Sequence, residues 1–148
     1  MQRTEHTVDI AAPRERVFAW LTEPELMLRW VGGLREFRPL DPEPGPGARA
    51  QQVVELGGRR MDVRSEITRY EAGKAVEARL DGKGFEVETA YSLDATDGTT
   101  TRVLATVHTR LHGLGGRLLG GVVERGAQRK LEGDLARLKE LVEADAAG

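Results

Sequence analysis

The last third of the chain, from Gly113 to Glu143, constrains the fold most because it predicts one long amphipathic helix. Apolar residues recur there at spacings of four and three, the period that places side chains on one helical face. They are Leu119, Val123, Ala127, Leu131, Leu135, Leu138 and Val142. A helix of this length takes most of its stability from tertiary packing, so it needs a broad apolar partner. That partner has to come from residues upstream.

Residues Leu34 to Leu111 predict that partner as a meander of antiparallel strands. Gly57-Gly58, Asp81-Gly82 and Asp97-Gly98 are expected to form hairpin turns, because these dipeptides accept positive φ. Polar and apolar residues alternate along Met61 to Thr68, as in a half-buried strand. Successive hairpins give an antiparallel sheet with one face exposed to solvent. The long helix would cover the dry side.

The start of the chain adds one strand and two short helices. His6 to Ile10 alternates like a strand, Ala12-Pro13 opens a first helix, and Pro24 to Trp30 predicts a second. Pro42 to Gly47 can hold neither helix nor strand and reads as an exposed loop, either a lid or a linker. The expected fold is therefore α+β: one strand, two short helices, six more strands and a long helix, as a single domain over residues 1–148.

Composition limits the class of protein. The 148 residues contain no cysteine, which excludes a disulfide framework, a thiolate metal site and a thiol nucleophile. Basic and acidic residues number 22 and 24, so a net charge of −2 gives no global attraction to nucleic acid or to an anionic membrane. No apolar run approaches the ~20 residues of a membrane span, and the first residues are polar, so we expect a cytoplasmic protein.

The opening residues and the terminal helix resemble the START-like (SRPBCC) superfamily. The resemblance rests on Val8 to Phe18, Leu21 to Leu26, Trp30 and the amphipathic helix, and it spans nearly the whole chain. This superfamily has the helix-grip fold of the birch-pollen allergen (Bet v 1) type, of lipid-transfer domains and of polyketide cyclase/dehydrase-like bacterial proteins. It implies a curved seven-stranded sheet around the long helix, with a cavity that in many members holds a lipid, sterol, polyketide or other apolar molecule. Pro13 and Trp30 are structural in the family, so no catalytic role is transferred to them.

Small side chains face each other across the predicted core. Two explanations stay open: they leave volume for a ligand, or they let helix and sheet approach closely. Under the first explanation, the ligand-binding residues would be Trp30, Met61, Val63, Ser65, Phe85, Val87, Thr89, Tyr91, Val103, Ala105, Val107, Leu119, Val123 and Gly126. For any one of the apolar residues taken alone, ordinary core packing is the stronger explanation, and for Trp30 it is packing beside a short helix.

Few residues are candidates for chemistry. His108 and His112 straddle the end of a strand, where residues four apart lie ~13 Å from each other, so we expect no metal site. No serine lies in a nucleophile elbow, and no cofactor motif is present, so we expect no cofactor. Tyr91 and Ser65 are the best candidates to orient a polar group of a guest.

Three functions follow as hypotheses. The leading one is non-catalytic binding of a small hydrophobic molecule, lipid or polyketide-like, by a monomer or weak homodimer that does not bind nucleic acid. The second is a cyclase or dehydratase in which Tyr91 or an inward acid such as Glu36 moves a proton; an inward carboxylate in the pocket would favour it. The third is a protein-interaction module like the co-chaperone branch of the superfamily. The outer face of the sheet is charged, which argues against this function.

Overall fold

The computed structural model of the chain describes residues 2–147, without the side chains of residues 114–125. One strand is followed by two short helices, six strands and a long helix, which confirms the predicted α+β helix-grip architecture. The elements are β1 (Gln2–Ile10), α1 (Arg14–Thr22), α2 (Pro24–Trp30), β2 (Leu34–Pro39), β3 (Arg49–Leu56), β4 (Arg59–Glu71), β5 (Ala75–Gly82), β6 (Phe85–Asp97), β7 (Thr100–Leu111) and α3 (Gly113–Ala147).

The strands form one seven-stranded antiparallel sheet in the order β1-β7-β6-β5-β4-β3-β2. Strands β2 to β7 are sequential neighbours, while β1 pairs with β7 at one edge through contacts such as Val8 with Val103. The helices α1 and α2 carry the chain from that edge to β2 at the other. The long helix α3 packs on the inner face, the face that carries Val103, Ala105 and Val107. In residues 2–147 no helix has an apolar stretch long enough to cross a membrane.

Two of the three predicted hairpin turns lie one or two residues later than expected. Asp97 pairs with Thr100, so the turn predicted at Asp97-Gly98 lies at Gly98-Thr99. Gly57 and Gly58 form a hairpin turn with φ of 59° and 80°, as predicted. Asp81-Gly82 was expected to be a turn, and this is wrong: both residues pair with β6, and the turn lies at Lys83-Gly84, where Gly84 has φ of 88°. Gly82 instead lets the Phe85 ring lie close to the backbone, since a Cβ at Gly82 would be 2.2 Å from that ring.

A bulge in β2 reverses the expected orientation of Glu36. Leu34 pairs with Val54 and is buried, but the register shifts before Glu36, which pairs with Val53. Because one extra residue in a strand swaps the faces of all residues beyond it, Glu36 is exposed and Phe37 is half-buried. Glu36 is therefore not the inward acid that the sequence suggested.

The solid part of the core lies at the C-terminal end of α3. Leu135, Leu138 and Val142 are fully buried there. They form a cluster with residues from β1, α1, α2, β6 and β7, namely Ile10, Val17, Trp20, Leu21, Trp30, Leu93, Val103 and Ala105. The same helix carries smaller residues more than two turns before Leu135, at Gly126 and Ala127, and these two residues border a cavity.

Candidate ligand cavity

A cavity of about 290 Å³ lies between the inner face of the sheet and α3, ahead of its leucine-rich end. Strands β2 to β7 supply most of its wall, β1 contributes Thr4, and the end of α2 contributes Trp30. Its apolar lining consists of Trp30, Val31, Leu34, Val54, Leu56, Met61, Val63, Leu80, Phe85, Val87, Tyr91, Val107, Ala127 and Leu131. This size is at the lower end of the range of small-molecule sites.

Nine of the predicted site residues lie on the cavity wall. They are Trp30, Met61, Val63, Phe85, Val87, Thr89, Tyr91, Val107 and Gly126. Most of the strand residues among them point inward but keep partial accessibility, because they face the cavity and not a packed side chain. The structure thus brings together residues from β4, β6, β7, α2 and α3.

The other predicted site residues do not line the cavity. Val103 and Ala105 also face inward, but they lie under the leucine-rich end of α3 and are completely buried in the solid core. Ser65 is half-buried between Ala50 and Leu80 on the neighbouring strands and is not part of the wall. Leu119 and Val123 fall in the stretch of α3 whose side chains are outside the described residues.

Gly126 marks the place where the helix leaves room. A Cβ added at this position would meet no heavy atom within 4 Å. A glycine inside a helix costs about 1 kcal/mol relative to alanine. Close approach of helix and sheet does not account for Gly126, because a larger side chain has space there.

The described part of the wall contains one ion pair, which the sequence analysis missed. The Lys130 ammonium lies 2.5 Å from Asp134 Oδ2, and Asp134 Oδ1 accepts a 3.1 Å hydrogen bond from the Gly32 amide. The Asp134 side chain is only 16% exposed, while that of Lys130 is 39% exposed. The pair thus ties α3 to the segment after α2 and places a carboxylate on the wall, with Lys130 reaching solvent.

The Tyr91 hydroxyl is the polar group most affected by this environment. Burial raises the pKa of Tyr91 well above its usual range, and the negative charge of Asp134 raises it further. The Tyr91 ring packs edge-on against Trp30, with centroids 6.2 Å apart at 83°. Trp30 Nε1 donates a 2.7 Å hydrogen bond to the Trp20 carbonyl, so the Trp30 ring is fixed. Tyr91 Oη has no hydrogen-bond partner in the described part of the chain and stays protonated at neutral pH.

The rest of the wall has no further charge among the described residues. Its other polar groups are the hydroxyls of Thr4, Thr89 and Thr109 and the amide of Gln52. Among the side chains that the structure describes, no group of three or more His, Asp or Glu is arranged to hold a metal ion. The arrangement can enclose an apolar body and offer it hydroxyl hydrogen bonds.

These observations define the protein first as a helix-grip protein with an internal apolar cavity. The chain belongs to the polyketide cyclase/dehydrase and lipid transport family, whose sequence model matches residues 1–143. This agrees with the START-like resemblance of its opening residues. No curated protein matches the sequence.

Solved structures share the fold over nearly the full chain. The protein TTHA0849 of Thermus thermophilus is 21% identical, with a TM-score of 0.79 and coverage of 98% of this chain and 99% of that one. An aromatase/cyclase, Zhui, from a Streptomyces species is 20% identical, with a TM-score of 0.74 and coverage of 96% and 93%. Ara h 8.0201 is 17% identical, with a TM-score of 0.72 and coverage of 97% and 98%. At these identities the likeness establishes the fold.

Proposed function

We propose that this protein binds a small hydrophobic molecule in the cavity between its sheet and α3. The observation that carries the proposal is the cavity itself: about 290 Å³, lined mainly by apolar side chains from six strands, α2 and α3. Burial of apolar surface is the main driving force for such binding. The family description, which includes lipid transport, supports the same role.

The size of the cavity limits the guest. An apolar cavity of about 150 Å³ holds benzene. A volume of about 290 Å³ therefore suits a compact guest of roughly two rings better than a long, fully enclosed acyl chain. Met61 and Phe85 are adaptable side chains that fit irregular apolar shapes.

The test measures both natural and added guests. Native mass spectrometry of the purified protein should show a copurified small molecule, or a 1:1 complex after addition of naphthalene. Equilibrium dialysis then compares wild type with Gly126→Phe, which fills part of the cavity, and Gly133→Phe, which changes an exposed glycine of the same helix. We expect naphthalene to bind wild type and Gly133→Phe and to bind Gly126→Phe weakly. No binding, or equal binding by all three proteins, would contradict the proposal.

An enzymatic role of the cyclase or dehydratase type is the second candidate, and the Asp134 carboxylate on the wall favours it. Tyr91, kept protonated, would donate to a developing enolate oxygen. Against this role, both Asp134 oxygens already accept hydrogen bonds, from Lys130 and Gly32. Incubation with a linear poly-β-keto thioester tests it: cyclised product from wild type, lost in Tyr91→Phe and Asp134→Asn, would support catalysis, and unchanged substrate would exclude it for that class.

The remaining sequence predictions, a cytoplasmic location, a monomer or weak homodimer and no nucleic-acid partner, stay predictions.

A further inference from the structure

The cavity has a polar end, and its composition selects among possible guests. Tyr91 lies on β6 and Asp134 on α3, and both belong to the wall, while Lys130 joins Asp134 where the wall reaches solvent. The opposite part of the wall is apolar and includes Leu56, Met61 and Phe85. A guest with one polar and one apolar end would therefore bind in a fixed orientation.

Charge at the polar end is already balanced. The Lys130 ammonium is bound to Asp134 at 2.5 Å, so it is not a free cation waiting for an anionic head group. A carboxylate brought to this end would meet the Asp134 carboxylate and would have to compete for Lys130. It would also lose its hydration on entry, which is costly for an unpaired charge.

The Tyr91 hydroxyl is an uncharged side-chain donor at this end. Tyr91 Oη has no partner among the described residues, and it remains a donor at neutral pH. Tyr91 lies on the cavity wall, so its hydroxyl can donate to an acceptor oxygen that the guest supplies. An uncharged oxygen, as in a ketone, ester or ether, is the acceptor that meets no electrostatic penalty from Asp134.

We propose that the cavity selects a compact, uncharged apolar molecule of about two rings that carries an acceptor oxygen, with Tyr91 Oη donating to that oxygen and Asp134 excluding anionic guests. This inference rests on the proposed function and adds the specificity of the same site. Tyr91 and Asp134 are in this view specificity-determining residues.

Three probes of one ring system test the inference: naphthalene, 2-acetylnaphthalene and 2-naphthoate. Equilibrium dialysis measures each against wild type, Tyr91→Phe and Asp134→Asn. We expect Tyr91→Phe to weaken 2-acetylnaphthalene about three- to tenfold and to leave naphthalene unchanged, as for the loss of one hydrogen bond. We expect Asp134→Asn to strengthen 2-naphthoate about tenfold relative to 2-acetylnaphthalene, because it removes the repelling charge and releases Lys130. The asparagine carbonyl can still accept from Gly32.

A spectroscopic readout separates the hydrogen bond from a structural effect. The carbonyl stretch of bound 2-acetylnaphthalene should lie at lower frequency in wild type than in Tyr91→Phe. Circular dichroism and the Tm establish that both variants are folded. If naphthalene binds but the variants leave the ratios among the three probes unchanged, the specificity inference is wrong and the proposed function stands. If none of the three binds wild type, both are wrong.

Discussion

Replacement of Gly126 by phenylalanine is the sharpest perturbation of the cavity. The position lies on the wall, and a Cβ there would have no heavy atom within 4 Å. The benzyl group would enter a space of about 290 Å³. Since a benzene-sized guest occupies a cavity of about 150 Å³, the new side chain would take roughly half of that space.

The expected changes in affinity and stability have opposite signs. A guest that uses the whole cavity would lose the burial of about one ring, which is worth about 2 kcal/mol, or roughly thirtyfold in Kd. Folding should gain, because phenylalanine is a better helix former than glycine by a few tenths of a kcal/mol and the benzyl group is buried. A net gain of about 1–2 kcal/mol would raise the Tm by a few degrees.

The assay combines calorimetry with equilibrium dialysis of naphthalene. Gly133→Phe is the matched control, since Gly133 is in the same helix, is exposed and also has no heavy atom within 4 Å of an added Cβ. The control should change the free energy of unfolding by less than about 0.5 kcal/mol and leave Kd unchanged. A drop in Tm of more than about 5 °C in Gly126→Phe alone would show that the site is packed, because overpacking costs about 1–3 kcal/mol.

Three further substitutions test other parts of the structure. Gly33→Ala should cost about 2–3 kcal/mol in urea unfolding, because Gly33 has φ of 84° and a Cβ would lie 2.3 Å from the Glu55 carbonyl oxygen; a cost below 0.5 kcal/mol would contradict this close approach. The raised pKa of Tyr91 keeps its hydroxyl protonated in the folded state, while the tyrosine of the unfolded chain ionises above pH ~10. The free energy of unfolding should therefore fall by up to about 1.4 kcal/mol per pH unit above pH ~10 because of this group. Tyr91→Phe should lose this pH dependence in alkaline unfolding, and an unchanged pH dependence would refute the burial of the hydroxyl. The Lys139 ammonium and the Ala11 backbone amide, just after β1, lower the pKa of Glu143, so Glu143→Gln should cost up to about 1 kcal/mol at pH 7, and this cost should decline as the pH falls below 4.5 and through the lowered pKa of the folded state. A cost that does not decline over this range would assign the effect to packing.

The sequence predicted the fold because its strongest signals are local and periodic. The stripe on α3 from Leu131 to Val142 is the buried stripe of the structure, and the Pro24 to Trp30 helix has the predicted bounds. The turn at Asp81-Gly82 was predicted wrongly because a glycine can either form a turn or allow another group to lie close to the backbone. Only the position of the Phe85 ring distinguishes the two.

The cavity was harder to predict than the fold, because its position depends on which part of the inner face of the sheet is covered by large side chains of α3. Val103, Ala105 and Val107 alternate on the same inner face of β7, but only Val107 borders the cavity. The difference comes from α3, which places Leu135 and Leu138 over one end of the face and Gly126 near the other. Strand periodicity gives the face and not the position along it.

Asp134 escaped prediction although its position on the helix could have indicated it. Ala127, Lys130, Leu131 and Asp134 are spaced by three and four residues and share the cavity-facing side of α3. A reading based on apolar periodicity passes over a charged pair that lies within the stripe. Glu36 was predicted to point inward for a different reason. No local sequence pattern indicates the β2 bulge that turns this side chain outward.

The cost of the cavity gives a reason for expecting it to be occupied. At about 24 cal/mol per Å³, a void of about 290 Å³ left by truncated side chains would cost roughly 7 kcal/mol, comparable to the whole stability of a domain. Three features of the chain limit this cost. The seven strands hold the cavity wall by backbone hydrogen bonds, and the leucine-rich end of α3 is fully buried. Lys130 is partly exposed and leaves one end of the cavity accessible to water. Water in the cavity would gain little from contact with the apolar side chains of Met61, Leu56 and Phe85, so an apolar guest should replace it with a net gain. Such a guest binds only the folded state, and at a hundred times its Kd it should add about 2.7 kcal/mol to the free energy of unfolding. The corresponding rise in Tm should be smaller in Gly126→Phe, whose own side chain already fills part of the same space.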